Sequence, residues 1–287
     1  MEKQLSIIIP HYNSPRKLER LLDTIPDKEE IEVIVCDDCS TKEIDKFKEI
    51  VEKRHGIILP EAINNTGAGG ARNRGLKVAT GKWVLFADSD DFFTENMWEI
   101  VNAYFESEAD VVLFPPTSVY EGTNKLADRH QTSESIVNNL RLINDRKSFL
   151  TARYMMVLNL SRMIRRSIIV ESNISFDEEM RYFEDALFAM NTGIATDKII
   201  ASDKVIYVIT KAENTETYAK DEASDLLRRK CSYKRAKLLK RALSREEQMI
   251  LGAGNELVLR RYKEYKQNLI SRAIYGVYYR LFRTRRG

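Results

Sequence analysis

The sequence predicts an α/β fold with a Rossmann-like, open, mixed but mostly parallel sheet flanked by helices, and a C-terminal helical appendage. Apolar runs of strand length alternate with amphipathic segments of helix length over residues 5–116. Continuous apolar runs of this kind are typical of strands buried on both faces. Two of the runs lead directly into clustered acidic side chains. Because the carboxyl ends of parallel strands share one edge of a sheet, we expect these acids to meet in one crevice.

Composition places the chain among globular proteins. It has 287 residues, of which 43% are hydrophobic, enough for one large domain or for one domain with an appendage. Two aspartates separate Cys36 from Cys39 and disfavour the thiolate form that redox cysteines need, so we expect reduced thiols. No apolar stretch reaches the length of a signal or membrane helix. We therefore expect a cytoplasmic protein.

The first elements follow from apolar runs and their boundaries. Residues 5–9 predict a strand that ends at Pro10. A helix follows with Pro15 at its first position and Asn13 or Ser14 as its cap. The next predicted elements are a strand over residues 31–38, a helix over 40–54, a third strand over 56–60 and a helix from about residue 68.

The later elements are predicted in the same way. A buried strand over residues 83–87 precedes the helix 95–106 and the strand 110–116. Residues 117–144 are polar and predict a long loop of the kind that often forms a lid. The remaining predictions are a strand or helix after residue 148, a helix over 165–171, a helix that begins near 184, two short strands within 199–210 and helices after 212. We expect two domains, residues 1–212 and 213–287.

Three acids follow the strand that ends at Ala87. Asp88, Asp90 and Asp91 would repel one another unless a cation lies among them. Oxygen ligands without nearby Cys or His favour Mg²⁺ or Mn²⁺ over Zn²⁺, and Mg²⁺ commonly carries substrate phosphates. The alternative is that Asp90 or Asp91 caps the following helix, but a cap needs one acid and not three. We therefore predict a divalent metal that holds a diphosphate.

Two other segments are less specific. Glu184 and Asp185 would lie in the first turn of a helix, where the helix dipole alone favours negative charge. Residues 64–75 form a Gly-rich turn that enters a helix, as phosphate loops do. The turn lacks the spacing of a P-loop and of a dinucleotide-binding loop. A structural role therefore stays open for both segments.

Four stretches in order resemble the motifs of family 2 glycosyltransferases: SIIIPHYN, VIVCDDCST, NTGAGGARNRGLKVATGKWVLFADSDDFF and FDEEMRYFEDALF. The resemblance covers residues 4–210. It implies a GT-A type fold and an inverting, metal-dependent enzyme. Such an enzyme would transfer a sugar from a nucleotide-diphosphate donor, here a UDP-sugar, to a hydroxyl of a saccharide or lipid-linked saccharide. The expected setting is bacterial cell-surface polysaccharide synthesis.

The resemblance also implies roles in nucleotide binding. Tyr12 would stack on the base, and Pro10 would shape the turn beneath it. Asp38 would accept a hydrogen bond from the imide N–H of the base, and Asp37 or Asp38 would select a uracil edge. Arg72 would approach the diphosphate.

The DxD motif of the family matches Asp88-Ser89-Asp90, which directly follows the predicted strand over residues 83–87. Asp90 would be the main ligand of Mn²⁺ or Mg²⁺, with Asp88 nearer the ribose and also a metal ligand, and Ser89 would belong to the nucleotide site. A metal of this kind would stabilise the departing diphosphate.

The resemblance places three further acids where the acceptor binds. Asp91 and Glu184 would face the acceptor side, and Asp185 would be the general base that takes the proton of the acceptor hydroxyl. As a helix-start acid near a metal, Asp185 is expected to have a low pKa. Inverting transfer needs only one such base.

Two other functions compete with this interpretation. A nucleotide-sugar-binding protein without activity would be expected to lack catalytic carboxylates, but all are present here. A nucleotidyltransferase would need a basic Gly-rich loop after the first strand, where this chain has HYNSP. The Q-x-x-R-W motif of processive synthases is absent, so we expect transfer of one or a few sugars per encounter.

The C-terminal region is basic. Residues 228–245 and 269–287 contain no acid, although the net charge of the chain is only +3. On a helix, the last segment would gather one apolar face flanked by arginines, which suits an anionic membrane surface at the inner face of the cell membrane. Packing of this face on the protein itself is the alternative, and no nucleic-acid module accompanies the charge. The apolar face consists of Ile270, Ile274, Val277, Tyr278 and Leu281.

Overall fold

The computed structural model describes residues 2–212 and 222–251. The chain divides into two compact units, residues 1–217 and 218–287. The functional division predicted at residue 212 stays a prediction, because residues 213–221 lie outside the described part. The predicted membrane-binding face over residues 270–281 also lies outside it.

The first unit contains two sheets. Six strands form the larger one in the order β2-β1-β3-β7-β5-β8, and β7 is antiparallel to both of its neighbours while the other pairs are parallel. The smaller sheet has the order β4-β9-β6. The predicted mixed, mostly parallel sheet is therefore confirmed. The strands are β1 Leu5–His11, β2 Ile31–Asp37, β3 Trp83–Phe86, β4 Phe92–Phe93, β5 Val111–Leu113, β6 Thr117–Tyr120, β7 Arg162–Arg165, β8 Ile199–Ala201 and β9 Tyr207–Lys211.

Helices connect the strands of the first unit. The chain passes from β1 to β2 on one side, and from β2 to β3 on the other side of β1. Right-handed crossovers then place the first and third helices on opposite faces of the sheet. The helices are α1 Pro15–Asp23, α2 Ile44–Lys53, α3 Gly67–Val78, α4 Met97–Asn102, α5 Gln131–Leu142, α6 Arg146–Met155, α7 Arg166–Glu171 and α8 Glu184–Ala195.

The centre of the larger sheet is buried. Every residue of β3 is buried, as is the matching part of β1. Burial on both faces explains why these strands have no polar alternation and could be predicted from apolar runs alone. The strand order reverses between β1 and β3, so their carboxyl ends form a crevice in which open α/β sheets bind ligands.

Pro10 lies within β1 and does not end it, contrary to the prediction. The carbonyl of Ile8 accepts the last bond from the β3 side, donated by the amide of Ala87. The backbone polar groups of alternate residues point to the same neighbouring strand, so those of Pro10, like those of Ile8, point toward β3. The pairing of β1 with β3 ends at Ile8, however. The amide that proline lacks therefore has no ladder bond to lose.

Three predictions for the connections were wrong. Residues 117–144 are not a long loop, because they form β6 and α5. The buried side chains of Val137 and Leu140 pack α5 against the protein interior. The third predicted strand is a single parallel bridge between Ile34 and Ile58. The predicted helix over residues 95–106 is reduced to α4. Short elements of this kind are set by long-range pairing, which local patterns do not record.

The described part of the second unit is helical, as predicted. It contains α9 Glu222–Ala242 and α10 Arg245–Ile250. Ser244 caps α10: its hydroxyl accepts from the amide of Glu247, whose carboxylate accepts from the amide of Ser244 in turn. Among residues 2–212 and 222–251, no helix combines the length and apolar character needed to cross a bilayer.

Candidate active site

The carboxyl ends of β1, β2 and β3 are joined by side chains. The amide of Asn13, after β1, donates to the hydroxyl of Ser40, after β2, at 2.8 Å. The hydroxyls of Ser14, directly before α1, and Ser89, after β3, lie 3.5 Å apart. The three strand ends therefore meet, as the sequence predicts, and carry the predicted site residues to one place.

Asp37 is held at the mouth of this crevice. Its Oδ1 accepts hydrogen bonds from Nδ1 of His11 at 2.8 Å and from the hydroxyl of Ser40 at 2.6 Å, and its Oδ2 accepts from the Ser40 amide at 3.0 Å. Nε2 of His11 accepts from the Ser14 amide, so the ring proton is on Nδ1. Burial raises the pKa of Asp37, but these hydrogen bonds outweigh it and leave the pKa below its usual value.

Asp38 has a different environment. Its carboxylate accepts from the amides of Thr66 and Gly67 at the start of α3, and it forms an ion pair with Arg74 at 2.8 Å. Only 4% of its side chain is exposed, against 28% for Asp37. Asp38 thus anchors the N-terminus of α3, where negative charge is favoured. The base-recognition roles given to both acids stay predictions, and only Asp37 has appreciable exposure.

The remaining predicted nucleotide-binding residues line the same edge. Tyr12 is half exposed, which is compatible with its predicted stacking on the base. It stands next to Asn13, which has a φ of 53° and accepts from the amides of Thr41 and Lys42. Pro10 and Ser89 are partly exposed at the ends of their segments.

The acid cluster is compact. Carboxylate oxygens of Asp88, Asp90 and Asp91 all lie within 4.8 Å of one another. Burial raises the pKa of Asp90, and the charge of Asp88 raises it further. Hard oxygen donors that repel one another fit a divalent cation such as Mg²⁺ or Mn²⁺, which would relieve the repulsion. A divalent metal is therefore compatible with this donor set, with Asp88 and Asp90 as its holders.

Asp91 is tied to the smaller sheet. Its Oδ1 accepts from the amide of Thr210 at 2.7 Å, and its Oδ2 accepts from the hydroxyl of Tyr207 at 2.9 Å. The same hydroxyl accepts from the amide of Asp88 at 2.8 Å. Burial, followed by the charges of Asp88 and Asp90, raises the pKa of Asp91 well above its usual value. The acceptor-side role of Asp91 stays a prediction, and the hydrogen bonds of its carboxylate go to β9.

The other two acids begin α8, as predicted. Oδ1 of Asp185 accepts from Nη1 of Arg72 and from Nδ2 of Asn159, both at 3.2 Å, and 32% of the Asp185 side chain is exposed. Burial raises the pKa of Asp185 despite the opposing charge of Arg72, and the charge of Asp88 raises it further. The low pKa was predicted for a helix start beside a metal and stays a prediction for that state, because in the chain alone burial outweighs the favourable charges. A raised pKa makes the carboxylate a stronger base.

Arg72 lies between Asp88, a predicted metal ligand, and the first turn of α8. Its Nη2 donates to Asp88 Oδ1 at 2.6 Å, and its Nη1 lies 3.1 Å from Glu184 Oε1 and 3.2 Å from Asp185 Oδ1. Only 3% of Arg72 is exposed. Burial and the charge of Asp185 raise the pKa of Glu184 to about 7. The acceptor-side role of Glu184 and the diphosphate role of Arg72 stay predictions.

Several residues of the site carry no local signal in the sequence. Arg20 on α1 donates to the carbonyl of Asp90 and to Thr210 Oγ1, so it joins the acid turn to β9. Asn159 holds both the carbonyl and the carboxylate of Asp185. A lone polar residue acquires such a role only when the fold brings distant segments together. Thr66 and Arg74 were also missed, and they hold Asp38 at the start of α3. The other site residues that were missed are Ser40, Tyr207 and Thr210.

A sequence profile described as Glycosyl transferase family 2 matches residues 6–171, more than half of the chain. The chain belongs to glycosyltransferase family 2. The matched range includes the crevice residues from Pro10 to Asp91, and it ends before Glu184 and Asp185. The enzyme class predicted from the sequence, a family 2 glycosyltransferase, is thereby confirmed.

This family 2 glycosyltransferase is similar to two bacterial proteins that are named as poly(ribitol-phosphate) glycosyltransferases. It is 32% identical over 220 residues to the poly(ribitol-phosphate) beta-N-acetylglucosaminyltransferase TarS of Staphylococcus aureus, covering 73% of this chain and 36% of TarS. It is 26% identical over 227 residues to the poly(ribitol-phosphate) beta-glucosyltransferase of Bacillus spizizenii, covering 73% of this chain and 33% of that protein. The glycosyltransferase described here thus spans about a third of the length of these relatives.

A solved structure supports the same assignment. The crystal structure of S. aureus TarS 1-349 in complex with UDP-GlcNAc matches with a TM-score of 0.70 and 26% identity, over 91% of this chain and 73% of that one. The predicted GT-A type fold is therefore confirmed. None of these matches favours a nucleotidyltransferase or an inactive binding protein.

Proposed function

We propose that this family 2 glycosyltransferase transfers a sugar from a UDP-sugar to a hydroxyl of a cell-surface polymer, with inversion at the anomeric carbon. The observation that carries the proposal is the contact of Asp88, a predicted metal ligand, and Asp185, the predicted base, with the same guanidinium. This contact sets an acid suited to donor binding beside one suited to activating an acceptor. The TarS structure with UDP-GlcNAc supports the choice of donor.

The chemistry assigned to the chain is simple. When bound, Mg²⁺ or Mn²⁺ would stabilise the charge of the departing diphosphate. Asp88 and Asp90 would hold the ion, and Tyr12 and Asp37 would hold the base. Asp185 would take the proton of the acceptor hydroxyl as that oxygen attacks the anomeric carbon and the bond to the diphosphate breaks. Because the acceptor oxygen displaces the diphosphate in one direct step from the opposite face, the configuration at the anomeric carbon is inverted.

For the acceptor we propose a saccharide or lipid-linked saccharide, or a polymer linked by phosphates as in the names of both relatives. Two cations near the acid cluster suit an anionic acceptor. Lys17 and Arg129 lie close enough to Asp90 for their charges to lower its pKa, against the effects of burial and of Asp88. Arg129 is exposed just before α5, in the segment that the sequence predicted to be a loop.

A donor panel tests the proposal. Wild-type protein with Mn²⁺ should release UDP from at least one UDP-sugar. It should act up to about 10⁴-fold less well on the corresponding sugar with another base, because polar groups that match uracil would be left unpaired. Asp37→Asn should reduce this discrimination, because we assign the imide N–H to Asp37, the more exposed of the two acids, in place of the buried Asp38. Mass spectrometry of product and released nucleotide is the measurement.

The neighbouring acid provides the control. Asp38→Asn should lower the melting temperature without changing base discrimination, because Asp38 is committed to α3. Binding of UDP-sugars without transfer to any acceptor would contradict the proposal and favour an inactive binding protein. Formation of pyrophosphate from a nucleoside triphosphate and a sugar phosphate would favour a nucleotidyltransferase.

The cytoplasmic location and the membrane contact of the tail are further proposals, which rest on the sequence pattern. On a helix, the arginines after residue 268 would flank an apolar face. The full chain should therefore sediment with anionic vesicles more than a chain truncated after Asn268. Equal sedimentation of both chains, or no preference for anionic over neutral lipid, would contradict it.

A further inference from the structure

The guanidinium of Arg72 donates hydrogen bonds to two acids for which different roles are predicted. Nη2 contacts Oδ1 of Asp88, and Nη1 contacts Oδ1 of Asp185. In each acid the other oxygen, Oδ2, makes no hydrogen bond within the described residues. One guanidinium therefore fixes the rotation of both carboxylates and leaves one oxygen of each available for other ligands.

The surroundings of Arg72 argue against direct contact with a diphosphate. The side chain is 3% exposed, and its two terminal nitrogens already serve three carboxylates, with Glu184 as the third. The guanidinium carbon lies 5.3 Å from the ring centroid of Phe176. Nε is buried and has no hydrogen-bond partner in the described part of the chain. Burial therefore limits access more than the number of donors does: a phosphate could reach Arg72 only if this side chain moved, which would disturb its ion pairs with the three carboxylates.

We propose that Arg72 is a positioning residue of the transfer reaction, which orients the metal-holding acid Asp88 and the base Asp185 relative to each other. The inference rests on the proposed function, and it replaces contact with the diphosphate as the role of this arginine. A planar fork with fixed angles can hold two acids in set directions, whereas a lysine ammonium is a single point charge. Geometry as well as charge should therefore matter at position 72.

Two variants separate geometry from charge. Arg72→Lys keeps the charge and loses the fork. The double variant Arg72→Gln/Glu184→Gln removes one positive and one negative charge, so the net charge of the cluster is unchanged. The remaining acids, Asp88 and Asp185, are therefore not left with one more uncompensated negative charge. Arg74→Lys is the matched control, since Arg74 is on the same helix and pairs with the buried Asp38, but makes no hydrogen bond to Asp88 or Asp185 among the described residues.

The experiment measures three quantities on the full chain, after circular dichroism has shown that each variant is folded. These are Mn²⁺ affinity without nucleotide by electron paramagnetic resonance, UDP affinity at saturating Mn²⁺ by calorimetry, and the single-turnover transfer rate. Both Arg72 variants should bind Mn²⁺ about 10- to 100-fold more weakly, as expected when a partner that orients a metal ligand is lost. Their UDP affinity should stay within about threefold, and transfer should fall about 100-fold from misplacement of the base.

Other outcomes would overturn the inference. Unchanged Mn²⁺ affinity together with UDP affinity lowered tenfold or more would make Arg72 a diphosphate ligand. Full activity of Arg72→Lys would show that charge alone suffices, and equal loss of Mn²⁺ affinity in Arg74→Lys would show a general effect of α3. If wild-type protein transfers no sugar but the Arg72 variants alone lose Mn²⁺ affinity, the proposed function fails while the orientation of Asp88 by Arg72 stands.

Discussion

Asp90→Ala should abolish metal-dependent sugar transfer, with a loss of at least about three powers of ten, because a metal supplies several kcal/mol of transition-state stabilisation. Asp90 belongs to a cluster of three carboxylates within 4.8 Å, and its raised pKa shows that burial and Asp88 disfavour its charge in the protein alone. A bound divalent ion would favour the charged form of Asp90 over the neutral form. The variant should also lose Mn²⁺ binding measured without nucleotide.

An exposed acid provides the comparison for Asp90. Asp203 lies before β9, is half exposed and pairs with the adjacent Lys204, so Asp203→Ala should bind Mn²⁺ and transfer sugar as the wild type does. The measurement is initial rate against Mn²⁺ concentration for the three proteins, with a chelator control. Full activity of Asp90→Ala, or undiminished wild-type activity in excess chelator, would contradict metal use.

The sequence could predict the central strands because their environment leaves a local record. β1, β2 and β3 are buried on both faces, so each consists mostly of apolar residues despite the buried Ser6 and Glu32. The acids that follow β3 are close together in the sequence, so their cluster is also visible there. The same reasoning located the first turn of α8. These elements are specified by neighbours in the sequence, and they hold most of the predicted site.

The second sheet shows why other parts could not be predicted. β4 has two residues and β6 has four, and each forms only by pairing with β9, more than 85 residues further along the chain for β6. Tyr207 reaches both Asp88 and Asp91 only through that pairing. The raised pKa of Asp185 has a similar origin, since burial depends on the whole fold while the helix dipole is local.

The base can be tested with a substitution that keeps its shape. Asp185→Asn should keep UDP-sugar affinity within about threefold and lower the transfer rate by about two to four powers of ten, the usual contribution of a general base. The side chain is one-third exposed and keeps Oδ2 without a hydrogen bond in the described residues, so an acceptor hydroxyl can reach it. Single-turnover rates and calorimetry separate the two effects.

The pH dependence gives a second check on Asp185. The base must be ionised, so the wild-type rate should fall as pH drops through its pKa, which burial holds above the usual value for aspartate. The residual activity of Asp185→Asn should lack this acidic limb. Glu184→Gln is the matched variant: Glu184 shares the helix turn and the contact with Arg72 but is 7% exposed, so its loss should be smaller and should keep the limb. If Asp185→Asn loses donor affinity while bound donor reacts at the wild-type rate, Asp185 supports the fold and another group is the base.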